Sequence, residues 1–334
     1  MSFFQTTPPS PDGKPVASSR AVGTVVLCAF FLSGACGLVH EVAWTRLLRL
    51  VMGNTVFTIT TVLCAFMGGL ALGSFLGGRF IDRRKDPLRV FAFLEGSIAV
   101  YCFLLPWLIP GAEPIYRWIY QNTHTSFYLF SLIKFLFSGT LLLIPATFMG
   151  ATLPVLSRFF VRSLDQVGYP VGVLYSINTF GAVLGGAAAG FFLIPNLGVT
   201  LTIRTACLFN ALVAVTAYYL YRRFGADLQE TAVVREEVRK VQEIAEMGRK
   251  TKKKKGGHTR GTATPVIPVR IVYGPRPMML LLIGYGISGF AALVYEIAWT
   301  RALVLLIGSS VYAFSMILTA FVLGIALGSM GYAK

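Results

Sequence analysis

Four ionisable side chains, Glu41, Glu95, Lys134 and Glu296, lie inside long apolar runs. At membrane depth an ionisable group costs at least a few kcal/mol even on insertion scales, so each demands a partner or a task. Two carboxylates on opposite sides of one cavity would suit a small cation or a proton. Glu41 and Glu296 are the candidates for that chemistry. The bland alternative is neutralisation by Arg46 and Arg301, which stand just over one helical turn beyond them. Glu95 lies about two turns into its run from one side, and Lys134 about two turns into the next run from the other, so they are not expected to pair. Lys134 is expected to snorkel outward, and Glu95 to face a bundle interior or the nearby basic cluster. Asn178, midway along another run, would bind a ligand or staple two helices.

No catalytic set, metal set or cofactor site emerges. His40, His124 and His258 are scattered, which leaves no nucleophile, base and oxyanion arrangement. His40 reads as a boundary residue without a chemical role. Cys28, Cys36, Cys64, Cys102 and Cys207 stand singly in apolar runs and read as small buried hydrophobes.

The elements that must position these residues are apolar helices. The chain has 334 residues, 55% hydrophobic and 13% charged, with a mean hydropathy of +0.68. That balance excludes an ordinary soluble domain and makes the lipid bilayer the expected partner. Eight stretches meet or approach the roughly 20 apolar residues that cross a bilayer. They run from Ala21 to Val42, Thr55 to Phe80, Leu88 to Ile109, Phe127 to Leu156, Val171 to Leu193, Leu201 to Leu220, Met278 to Trp299 and Val311 to Met330. The expected fold is an all-α polytopic transmembrane bundle of about eight spans.

The formal charge of +16 does not point to nucleic acid, because the basic residues fall between apolar runs without interleaved aromatic platforms. They orient the chain instead. Lys14, Arg20, Arg79, Arg83, Arg84, Lys85, Arg89, Arg158, Arg162, Arg222 and Arg223 fall in one set of connections, which the positive-inside rule places in the cytoplasm. Residues 1–20, with Pro8, Pro9, Pro11 and Pro15, read as a disordered cytoplasmic lead rather than a signal peptide. A six-helix unit over 21–223 follows, then a basic cytoplasmic linker over 224–276 and two more helices over 277–334. Within the linker Val234, Val238, Val241 and Ala245 recur at helical spacing, predicting a short amphipathic helix. The lysines from Lys250 to Lys255 read as solvated positive-inside charge, with anionic headgroups as the alternative partner.

The strongest feature is an internal repeat. The segment from Ser33 to Ser74 realigns without gaps on Ser288 to Ser329, with about half of the positions identical. Glu41, Trp44, Thr45 and Arg46 match Glu296, Trp299, Thr300 and Arg301, and Gly53, Gly69 and Gly73 match Gly308, Gly324 and Gly328. Trp44 and Trp299 read as interfacial anchors, and Asn54, Thr55, Ser309 and Ser310 as caps of the following helices. Six spans, a linker and a restart in the same orientation form the parallel-repeat layout of major facilitator transporters. Lys334 is the counterpart of Arg79, so the second copy is expected to be truncated, split or incomplete. Gly69, Gly73 and Gly77, and Gly181, Gly185, Gly186 and Gly190, are expected to let helices approach closely. Pro145 and Pro154 are expected to bend their span.

The doubled (H/Y)E(V/I)AWTR block at His40–Arg46 and Tyr295–Arg301, GATLPVLSR from Gly150, LYSINTFGAVLGG from Leu174 and GFFLIPNLG from Gly190 together resemble a known family. They are similar to the membrane domain of the bacterial fused major facilitator/spermidine synthase proteins, over nearly all of Val25 to Tyr332 outside the linker. The resemblance implies a bacterial inner-membrane protein related to polyamine metabolism. Long members carry a soluble aminopropyltransferase-like domain after the membrane part, which has no counterpart in this sequence. The turn with Asp82 and Arg83 is similar to the superfamily's cytoplasmic loop between spans two and three. The expected function is that of a transporter-like or substrate-binding module for small cations such as polyamines. The alternative is a non-transporting scaffold that anchors an aminopropyltransferase-like partner or other membrane subunits.

Overall fold

A computed structural model describes residues 17–53, 56–84, 86–123, 126–161, 168–255, 275–308 and 310–332. Most of the lead, with Lys14, lies outside the described residues, as do Asn54, Thr55, Lys85, His124, Arg162, His258, Ser309 and Lys334. The same holds for the side chains of Arg20, Ser310 and residues 226–255. Every regular element among the described residues is a helix: α1 (Ala17–Met52), α2 (Val56–Ile81), α3 (Pro87–Gly111), α4 (Glu113–Thr123), α5 (Phe127–Phe160), α6 (Gly168–Ala188), α7 (Ile194–Lys255), α8 (Pro275–Ile307) and α9 (Ser310–Tyr332). One widened π-turn, Ala189–Leu193, joins α6 to α7. A chain this apolar satisfies its backbone polar groups within each segment, which helices do.

Seven helical segments are long and apolar enough to cross a membrane. One of them, Gly168–Gly225, is 58 residues long and contains Gly198 at φ 75°. Only glycine adopts that left-handed backbone without strain, so the helix breaks there. The contacts on either side define the directions. Gly181 and Gly185 of α6 meet Phe31 and Ala35 of α1 in parallel register. Beyond Gly198, Asn210 faces Glu95 and Tyr221 faces Arg89, so α7 runs antiparallel to α3. Since Phe30 also packs on Phe91 and Ser33 on Glu95, α3 is parallel to α1. The 58-residue segment therefore holds two oppositely directed helices.

Both copies of the repeat end their first helix in the same way. Gly53 (φ 82°) and Gly308 (φ 73°) donate their N–H groups to Arg49 O and Val304 O, each at 2.9 Å, as left-handed C-terminal caps. Nothing in Ala43–Met52 breaks a helix, so α1 continues ten residues past the expected boundary at Val42. The Glu41–Arg46 block consequently lies within the helix rather than at its outer end.

The glycine stripes seat neighbouring helices. Gly69, Gly73 and Gly77 of α2 lie against Ala146, Thr147 and Ala151 of α5, and a Cβ on Gly77 would sit 2.8 Å from Ala151 Cα. Ser74 Oγ donates to Gly150 O at 3.0 Å across the same seam. In the second copy, a Cβ on Gly324 or Gly328 meets open space among the described residues. Gly73→Leu is therefore expected to destabilise the protein by about 1–3 kcal/mol or more, whereas Gly328→Leu should stay within about 0.5 kcal/mol. Thermal unfolding in detergent checks this; equal losses for the two variants would refute the packing asymmetry.

The segment Arg223–Ala292 clusters as a unit of its own. In place of a short linker helix, α7 continues as helix to Lys255, and 256–274 lies outside the described residues. The first half of α8 exposes Met278, Leu280, Leu282, Tyr285 and Phe290.

Candidate functional site

The site begins on one helix. Ser33, Cys36, His40 and Trp44 recur every three or four residues along α1, which places them on one face. All four are buried. Glu95 of α3 accepts a short hydrogen bond from Ser33 Oγ and a second, at 2.7 Å, from Asn210 Nδ2 of α7. The other end of that amide, Asn210 Oδ1, lies 3.1 Å from His40 Nε2. An amide oxygen only accepts, so His40 Nε2 is the donor. The resulting chain, His40 to Asn210 to Glu95 from Ser33, ties three helices together.

This arrangement corrects the reading of His40 as a boundary residue. The imidazole is fully buried and stacks on Trp44 with ring centres 5.6 Å apart. Trp44 is likewise no interfacial anchor, because its ring is enclosed by His40 and Phe66. Its repeat mate Trp299 remains 56% exposed, stacked on Tyr295. Asn210 was missed, although an asparagine alone in the apolar run from Leu201 to Leu220 is itself a signal that a polar partner awaits at depth.

Replacing Asn210 with Leu would leave both Glu95 Oε2 and His40 Nε2 buried without this partner. The expected loss is about 1–3 kcal/mol, read as a lower unfolding midpoint. An Asn210→Leu protein as stable as the wild type would rule out the network as a staple.

Glu41 sits one residue beyond His40 and hence about 100° around the helix. Its carboxyl interacts electrostatically with that of Glu296 on α8. Both residues are fully buried, and all four carboxyl oxygens lack a hydrogen-bond partner among the described residues. The arginines expected to neutralise them do not reach. A spacing of five residues turns a side chain about 140° away from the glutamate, and Arg46 and Arg301 are exposed. They share their surroundings with Arg49 instead. Thr45 and Thr300 behave alike in the two copies, donating to Glu41 O at 3.0 Å and Glu296 O at 2.7 Å. Their hydroxyls are thereby committed to the backbone.

The remaining candidates lie apart from the glutamate pair. Asn178 Nδ2 donates to Phe30 O at 3.1 Å and staples α6 to α1. Lys134 sits over the rings of Phe130 at 4.6 Å and Tyr116 at 5.7 Å, a cation–π setting. Asp82 and Arg83 form an exposed turn after α2, in which Arg83 N donates to Phe80 O at 3.3 Å. Cys36, Cys102 and Cys207 are buried near one another and near Glu95, while Cys28 and Cys64 are exposed, contrary to the expectation that all five are buried. Among the described residues no three His, Cys, Asp or Glu side chains are arranged to hold a metal.

Comparison with known proteins adds the chemical context. The chain is similar to polyamine aminopropyltransferases. It is 26% identical over 218 residues to "Polyamine aminopropyltransferase 1" of Streptomyces coelicolor, which covers 65% of this chain and 37% of that protein. It is 24% identical over 200 residues to "Polyamine aminopropyltransferase" of Oceanobacillus iheyensis, covering 56% and 34%. With "Polyamine aminopropyltransferase 2" of Aquifex aeolicus the identity is 24% over 195 residues, covering 58% and 36%. The matches thus span about a third of the length of these curated relatives. No protein-family model matches the chain. No solved structure matches it either.

Proposed function

We propose that this chain is the multi-pass membrane module of a polyamine-related protein, and that it binds a small organic cation between Glu41 of α1 and Glu296 of α8. The observation that carries this reading is the pair itself. Two fully buried carboxyls at equivalent positions of a repeat interact with each other and lack hydrogen-bond partners. A ligand with two ammonium groups supplies both missing counter-charges, and the similarity to polyamine aminopropyltransferases supports polyamines as its class. The parallel repeat supports a major-facilitator-like arrangement of about eight spans, one half followed by the first two helices of another. The asymmetry of Lys and Arg supports a bacterial inner-membrane orientation with the N-terminus and the linker in the cytoplasm. Because both carboxyls are sealed from solvent, a ligand reaches them when the helices that cover them part.

The test is uptake and binding of radiolabelled 1,4-diaminobutane by the full chain in proteoliposomes. Saturable uptake or binding above that of protein-free vesicles is expected. A second reading, a non-transporting anchor for an aminopropyltransferase-like domain or subunit, is favoured by the extent of the matches, about a third of each relative's length. It predicts vesicles indistinguishable from the protein-free control and co-purification of aminopropyltransferase activity.

A further inference from the structure

We infer that the glutamate pair exchanges protons for its cation, so that binding of a diamine releases about one proton from each carboxyl. This rests on the binding reading above and adds the chemistry of the empty site. Two ionised carboxylates deep in a bundle, with each other as neighbours, add like-charge repulsion to the desolvation of each. Among the described residues, no cation lies in hydrogen-bonding reach of either carboxyl. On α1, His40 is turned to Asn210 and Arg46 is exposed, while Arg49 shares the surroundings of Arg46 and Arg301. On α3, Glu95 is engaged by Ser33 and Asn210. On α7, Cys207 is a free thiol near Cys102. On α8, Arg301 is exposed and Tyr295 is stacked on Trp299. On α9 the orphaned buried groups are hydroxyls, those of Ser315 and Thr319.

The empty site is therefore neutral when each carboxyl holds a proton, and the loaded site is neutral when a dication replaces the two protons. The step balances: two carboxylic acids and one diammonium ion give two carboxylate–ammonium pairs and two protons returned to solvent. The repeat makes this a matched pair, since each copy contributes one carboxyl at the same register. By linkage, release of two protons makes affinity rise with pH, by up to about 100-fold per unit while the amines stay charged.

The test is titration calorimetry of the purified full chain with 1,4-diaminobutane in buffers of differing ionisation enthalpy between pH 6 and 8. The expected result is about two protons released per diamine by the wild type and about one by Glu41→Gln or Glu296→Gln. The wild-type count stands alone if a variant fails to fold. Diamine binding without proton release overturns the exchange and leaves the binding reading intact. Absence of binding by the folded wild type overturns both.

Discussion

Replacing Glu41 and Glu296 together by glutamine is expected to abolish diamine binding, and each single replacement to weaken it about 10- to 100-fold. The magnitude follows from the pairing lost: a hydrogen bond to a charged group contributes about 1.5–3 kcal/mol, and about 1.4 kcal/mol is tenfold in affinity. Glutamine keeps the shape of the side chain and removes only the charge, so the fold should survive. Stability of the ligand-free protein is expected to change little, because a buried carboxyl that holds its proton is replaced by a neutral amide of the same shape. Glu95→Gln is the informative control. Its carboxyl is already occupied by Ser33 and Asn210, so diamine affinity should change by no more than a few-fold. Equal losses from Glu95→Gln and Glu41→Gln would sink the assignment of the site to the repeat-related pair, as would full binding by the double variant.

Trp44→Ala should destabilise the protein by about 3–5 kcal/mol, the usual range for emptying a large core aromatic. The repeat mate Trp299→Ala should cost less than about 1 kcal/mol. The two tryptophans stand in the same (H/Y)E(V/I)AWTR block, so sequence context alone predicts equal effects. Their surroundings differ: Trp44 is enclosed by His40 and Phe66 with no exposed surface, whereas Trp299 is 56% exposed. Thermal unfolding in detergent decides between the two expectations. Matching losses would mean that Trp299 is as enclosed as Trp44 in the protein as it exists.

The helical class and the repeat were legible in the sequence because each rests on local chemistry. Apolar runs with few charges demand self-satisfied backbones. A gap-free repeat demands equivalent helices, and both Gly53 and Gly308 end theirs in the left-handed conformation. The close seams were legible too, since Gly69, Gly73 and Gly77 could accept only another backbone at that distance. Helix ends were less so. The fall in hydropathy after Val42 suggested an end that the backbone does not make, because polar residues without a breaker continue a helix.

Only the tertiary structure decided what each polar side chain meets. Proximity along the chain suggested Arg46 for Glu41, but five residues of helix rotate the two apart, and the electrostatic neighbour is Glu296, 255 positions away. The same holds for Glu95, whose partners come from α1 and α7. It holds again for His40, which looked idle because its partner Asn210 is 170 residues distant. Helical periodicity assigns a residue to a face, and sequence alone determined that much. Which helix covers the face depends on long-range packing, and among the described residues that enclosed Trp44 and Gly73 while leaving their repeat mates Trp299 and Gly328 uncovered.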